Sequence, residues 1–313
     1  MISWLLINKW KKMIKHESIL HVNQGIGKFI SENKVDGYYN DLRDKVRYTT
    51  NLDRKGIPFN IATDGKEKRK VYFPIAIFQY GLGAYDLYLE TQEKIYLDIV
   101  IRIADWAVEN QEDNGAWNAF GVLGYANQYS AMAQGEAASL LARAYVKTNN
   151  IEYIDRGRRA IDFMLKSVDI GGTADYTAQG IILFEYPEKA CVLNGWIFSA
   201  FGIFDIWKVT KDKKYELAWK QSVLEIKSNL NKFDAKYWSY YSLDGKYASR
   251  FYHDLHIELL SALKKLDADP IYDIYMNHWK RCCDNFWKRT RAFFNKAMQK
   301  ITEKKSDEWI IVE

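Results

Sequence analysis

The 313 residues carry 45 Lys and Arg against 40 Asp and Glu, a net charge of +5, with both signs interspersed. That weakens a nucleic-acid reading, which would depend on a basic stripe. A hydrophobic fraction of 48% and a charged fraction of 27% belong to a soluble globular protein of one large or two ordinary domains. Three cysteines, Cys191 and the adjacent pair Cys282 and Cys283, make neither a disulfide framework nor a zinc site and read as reduced thiols. Aromatic residues reach 15% of the chain while Pro occurs only 4 times. The scarcity of Pro suits helices, and the rings suit a heavy core or a cleft that stacks on sugars.

At the N-terminus, MISWLLINKWKKMIKH has an apolar stretch of about seven residues with its positive charges after it, the wrong order for a secretory signal and too short to span a bilayer. The expectation is a cytoplasmic protein with no integral membrane segment. An amphipathic interfacial helix, and with it peripheral contact at an inner membrane, stays open. Residues 1–35 read as one or two peripheral helices. Residues 36–72 carry Gly, Asp and Asn punctuation and a short β-branched and aromatic run, so loops with a few short strands are expected there. The division expected is an N-terminal extension, 1–72, followed by a helical domain, 73–313.

From Phe73 onward the pattern is helical. Short polar turns at Glu90–Glu93, Thr148–Asn150, Thr210–Lys213 and Asp267–Pro270 are each followed closely by a tyrosine: Tyr96, Tyr153, Tyr215 and Tyr272. The tyrosines are spaced by 57, 62 and 57 residues. A repeat longer than one helix marks stacked helical units, here an αα-hairpin used four times. Between hairpins lie long connections, Gln111–Tyr129, Asp169–Lys189 and Asn231–His253. Alternating short and long links puts the long ones at one end, over the mouth of an (α/α) toroid or partial barrel. Long loops in a compact domain are usually functional.

The first long loop contains Asn114-Gly115 and Trp117, a turn expected to present an indole. In the second, Pro187 breaks any continuous helix and leaves Glu185 and Tyr186 on irregular backbone, between a buried run from Gln179 and a helix reaching Trp207. The third holds Tyr237, Trp238, Tyr240, Tyr241, Tyr247, Arg250, Tyr252, His253 and His256. The two histidines share a helix face. A metal would need further ligands such as Asp254 or Glu258, and without a third His or a Cys none is expected. No GxSxG elbow, Walker A or strand-borne GxGxxG is present, which disfavours nucleotide chemistry. The remaining set of phenol, carboxylate, imidazole and guanidinium suits proton transfer at a carbon next to a carboxylate, as in a uronic acid. A tyrosine base would need its pKa of about 10 lowered by a cation, for which Arg250 is the candidate.

Five segments in order, GIPFN (56–60), YFPIAIFQYGLGAYD (72–86), SAMAQGEAASLLARAY (130–145), FEYP…VLNGWIFSAFGIFD (184–205) and FYHDLHIELL (251–260), resemble the D-glucuronyl C5-epimerases. The resemblance spans roughly residues 36–285 and implies a toroid that converts glucuronate to iduronate within a heparosan-type glycan, with no cofactor. It implies catalytic roles for Glu185, Tyr186, Tyr252 and Tyr241, with Tyr240 as the alternative to Tyr241. Trp117, Asn118, Gln134, Asn194, Tyr240, Arg250, His253, His256, Gln79 and Tyr80 are the substrate-binding candidates. Where the family has an Arg just after Leu243, this chain has Asp244. The partner implied is an acidic polysaccharide containing glucuronate, and the resemblance leaves room for a homodimer. Two rivals stay open: a lyase or unsaturated glucuronyl hydrolase on the same toroid, and a glycan-binding protein without chemistry.

Overall fold

The computed structural model describes residues 22, 24–302 and 309–312. Residues 24–35, expected to be helical, are turns and irregular backbone. Gly27 lies directly against the Tyr38 carbonyl, 1.8 Å from where a Cβ would stand, and a helix there could not approach so closely. The rest of the expected N-terminal helix, including its interfacial reading, lies outside the described residues. A short helix α1 (Arg43–Tyr48) precedes two antiparallel strands, β1 (Asn60–Thr63) and β2 (Lys68–Val71).

Four helical hairpins follow. They are α2 (Pro74–Thr91) with α3 (Lys94–Asn110), α4 (Ala131–Thr148) with α5 (Ile151–Met164), α6 (Leu193–Thr210) with α7 (Lys213–Asn229), and α8 (Arg250–Leu266) with α9 (Ile271–Asp284). Each forms for local reasons. In α4 an Ala-rich run favours helix, the Ser130 hydroxyl accepts from the Ala133 N–H, and Asn149 ends the helix in the left-handed region. Gln92 and Lys211 end α2 and α6 in the same conformation. Two of the repeated tyrosines stitch neighbouring units, Tyr153 donating to Asp105 at 2.6 Å and Tyr215 to Asp162 at 2.9 Å, while Tyr272 closes the turn of its own hairpin on Asp267 at 2.8 Å.

Within these four hairpins the even-numbered helices form the inner wall and the odd-numbered ones the outer. Helix α4 packs on α2 and α6, and α6 on α8. Residues 193–206 of α6 are buried without a break, whereas α3 buries only one stripe, Ile99, Val100, Ile103, Ala104 and Ala107. The fold is a mainly α, partial (α/α) barrel, as the alternation of links implies. The long connections meet at the N-terminal ends of the inner helices. There Ala131 N donates to Phe184 O, Leu193 N to Tyr241 O and Leu243 N to Cys191 O, at 2.9, 3.1 and 3.0 Å.

The opposite end is filled by the segment around Gly37–Tyr39. Tyr38 N donates to Asp86 of α2, Arg143 of α4 donates to Gly37 O, and the Tyr39 hydroxyl donates to Asp205 of α6. Arg143 and Asp205 pair at 2.6 Å with both side chains fully buried. After α9, helix α10 (Phe286–Thr302) lies against the third long loop. Strand β5 (Ile310–Ile311) then pairs with β1, giving the sheet order β2-β1-β5. Among the described residues no helix is long and apolar enough to cross a membrane.

Candidate active site

The second loop is a hairpin, β3 (Ala174–Tyr176) and β4 (Ile181–Leu183), followed by irregular backbone around Pro187 and the start of α6. Glu185 is buried and its carboxylate lies on the first turn of α6. It fits because residue 195 is glycine: a Cβ there would stand 2.5 Å from Glu185 Oε2 and 2.7 Å from Glu185 Cβ. Oε2 has no hydrogen-bond partner among the described residues, and neither has the buried Oδ1 of the adjacent Asn194. Orphaned buried acceptors of this kind are uncommon and mark places where a ligand or water completes the structure. Burial pushes the Glu185 carboxyl up to about 7, against a hydrogen bond from Tyr186 that holds it lower.

Three tyrosines gather around this carboxyl. Tyr186 stacks on Phe120 of the first loop, with centroids 4.4 Å apart, and on Tyr125 at 5.8 Å. Tyr241, from the third loop, meets Tyr252, in the first turn of α8, at 4.8 Å. All three keep part of their surface exposed. Burial raises each phenol above its ordinary value, and the negative charge of Glu185 raises each further. The expectation that a cation lowers one of them does not hold. Arg250 is instead exposed and paired with Asp254 at 2.6 Å. Ammonium groups do stand nearby: Lys189 lies 4.2 Å from the Tyr125 ring centroid and 5.3 Å from that of Tyr186, and Lys296 of α10 lies 5.8 Å from that of Tyr241. Asp244 accepts from Ser242 at 2.5 Å and pairs with Lys246 at 3.1 Å.

Several other expected contact residues are engaged with partners of their own within the fold. Trp117 does not present its indole: it is buried, donates Nε1–H to Ala107 O and packs edge-on to Phe78. The Asn-Gly turn folds the loop back, and Gln134 accepts from the Trp117 N–H, fixing it to α4. His253 is fully buried, stacked on Trp238 at 3.6 Å, and takes the Ser239 N–H on Nδ1; with that nitrogen an acceptor, Nε2–H donates to Trp279 O. His256 is buried beside the Ser239 hydroxyl, and burial holds both imidazoles neutral, down at about 3. The pair therefore anchors the third loop to α8 from inside. Asn118, half-buried, donates to Gln128, and Tyr240 pairs with Tyr247 across a β-bridge. Tyr80 is buried in the core.

Gln79 leads to a residue that the sequence reading passed over. Its Nε2 donates at 2.9 Å to Glu136, which is wholly buried on α4 and has its other oxygen unpartnered among the described residues. Burial pushes Glu136 up to about 8, Glu185 adds to the rise, and the Gln79 hydrogen bond and Lys45 oppose it. Lys45, buried too, is depressed to about 8. The available signal was a lone carboxylate in the otherwise small and apolar run of MAQGEAASLLA. Lys189 and Lys296 were missed for another reason: both read as ordinary surface lysines, Lys189 although it ends the second long loop and Lys296 because only tertiary packing brings α10 to the mouth. An open groove of about 420 Å³ between the β3–β4 hairpin and α7, lined by Thr177, Ile182, Glu225 and Lys232, contains none of the four clustered residues.

The sequence profile of the D-glucuronyl C5-epimerase C-terminus matches residues 111–281, which include the whole cluster. The D-glucuronyl C5-epimerase of Caenorhabditis elegans is 26% identical over 206 residues, covering 56% of this chain and 33% of the worm protein. An uncharacterized protein of Methanocaldococcus jannaschii is 28% identical over 156 residues, 48% of this chain and 51% of that one. The chain thus spans a third to a half of the length of these relatives. Among solved structures, a family 76 glycoside hydrolase (mannosidase) of Bacteroides thetaiotaomicron covers 74% of this chain and 64% of its own, with a TM-score of 0.49 at 15% identity. The unsaturated glucuronyl hydrolase of Bacillus sp. GL1 covers 70% and 60%, with a TM-score of 0.44 at 13% identity.

Proposed function

The chain belongs to the D-glucuronyl C5-epimerase family, and from that premise we propose that it inverts C5 of D-glucuronate residues in a heparosan-like glycan, giving L-iduronate. The observation that carries the reading is the convergence of Glu185, Tyr186, Tyr241 and Tyr252 in one electrostatic neighbourhood at the mouth. Glu185 is the member that ionises near neutrality, so it serves as the base. Its carboxylate takes the C5 proton, and the electron pair of the C–H bond moves into the substrate carboxylate to form an enediolate. Tyr252, kept neutral by burial, delivers its hydroxyl proton to the opposite face, with Tyr241 hydrogen-bonded to it. Tyr186 donates to Glu185 and sets the orientation of the base. Lys189 and Lys296, beside the Tyr186 and Tyr241 rings, balance the substrate carboxylate. No cofactor takes part in these steps, because the carboxylate at C5 itself activates the proton.

The test is incubation with heparosan in D₂O followed by NMR. Deuterium at C5 together with iduronate signals is the expected result. A 4,5-double bond without iduronate would assign the protein to elimination instead, and no exchange on any glucuronate polymer would leave a binding protein. Tyr252→Phe is expected to lower turnover by about 10²-fold or more with glycan affinity retained, since general-acid catalysis is lost and binding contacts are not. The turnover of the wild type is expected to rise with pH through about 7 as Glu185 ionises.

A further inference from the structure

Helix α10 is turned the wrong way round for a helix that ends a soluble array. Its inward side is small and polar: Ala292 is buried, Asn295 donates to the Tyr237 hydroxyl at 2.5 Å, and Gln299 bonds both Tyr247 N and Gly245 O. Its outward side is apolar. Phe286, Trp287, Phe293, Phe294, Met298 and Ile301 are all between 53% and 77% exposed. At about 100° per residue these six fall within one arc of roughly 140°, opposite Asn295 and Gln299. Arg291 borders that arc on one side and Arg289, Lys296 and Lys300 on the other. Residues 286–302 contain no Asp or Glu.

We propose that this face of α10 docks on the surface of an anionic lipid bilayer. The aromatic and aliphatic side chains would enter the boundary between headgroups and acyl chains while the exposed Arg289, Arg291 and Lys300 meet lipid phosphates. A glycan would suit the cations, but Met298 and Ile301 offer a sugar no stacking ring. A second copy paired α10 to α10 would bring two wholly cationic helices together with no acidic residue on either to offset them. Because Lys296 of the same helix reaches the Tyr241 ring, docking would also hold the mouth of the barrel beside the membrane.

The experiment is flotation of the full chain with vesicles of pure phosphatidylglycerol and of pure phosphatidylcholine, at low and high salt. Binding to the anionic vesicles that weakens with salt is expected. The double variant Trp287→Ser, Phe294→Ser should weaken it by about tenfold or more, with its thermal unfolding unchanged because both side chains are exposed. Residues 1–21, outside the described residues, carry apolar and basic side chains of their own, so vesicle binding that survives this variant overturns the proposal. Binding to neither vesicle overturns it as well. So does a dimer that the double variant converts to monomer without lipid, which would make α10 a subunit interface.

Discussion

Gly195 decides where the Glu185 carboxylate can stand. An alanine Cβ would collide with Oε2, which can rotate away only by leaving its place, and with the Glu185 Cβ, which is fixed to the backbone and cannot. Gly195→Ala is therefore expected to cost about 10–10²-fold in turnover, because a displacement of the order of 1 Å is enough to spoil a proton transfer. The variant should remain folded, since alanine favours the helix it joins. Activity with unchanged helical circular dichroism checks this, and unimpaired turnover would mean that Glu185 is not the base. At this scale the sequence was legible where a residue acts through its immediate neighbours. Pro187 ends the helix and leaves Glu185 and Tyr186 on loop backbone, and both facts are local. Trp117 and the pair His253 and His256 were not legible, because their partners, Ala107, Ser239 and Trp279, are set by tertiary packing.

Between elements, α4 and α6 meet backbone to backbone. A Cβ on Gly202 would lie 2.4 Å from Gly135 Cα, and one on Gly135 would lie 2.6 Å from Ser199 Cα. Backbone meets backbone here, so the strain cannot be relieved by a change of rotamer. Gly202→Ala is expected to destabilise the fold by about 1–3 kcal/mol, despite the helix propensity of alanine, and to lower the midpoint of urea unfolding. It should lower activity too, since separating these helices moves Glu136 away from Glu185. The hairpins themselves could be read from the sequence because turns and caps are short-range: the period of the tyrosines and the lengths of the links locate the mouth. What could not be read was the filling of the other end by residues around Gly37–Tyr39. Their partners Asp86, Arg143 and Asp205 are 48, 106 and 166 residues away.

For the molecule as a whole, buried carboxyls set the response to pH. Glu136, Glu185 and Asp86 have folded values of about 8, 7 and 7, against ordinary values of 4.5, 4.5 and 3.8. In the window between those limits the folded state holds protons that the unfolded chain has released. Their contribution to stability is therefore complete below about pH 4 and is lost as the pH rises towards 8. Lys45 leaves this slope alone until the pH nears its own folded value of about 8. The melting temperature is expected to fall between pH 5.5 and 8, and Glu136→Gln should flatten the fall by an amount on the order of 2–3 kcal/mol. Thermal scans at the two pH values measure it, and parallel slopes for wild type and variant would place the titration elsewhere. The strand β5 adds a consequence in time. Ile310 and Ile311 complete the sheet at β1, and Trp309 N–H caps the Leu123 carbonyl while its ring lies under Arg69. The ribosome makes these residues long after residues 111–129 of the first loop. The first loop of the mouth must therefore wait until the chain has emerged through Ile311 before this clasp can close.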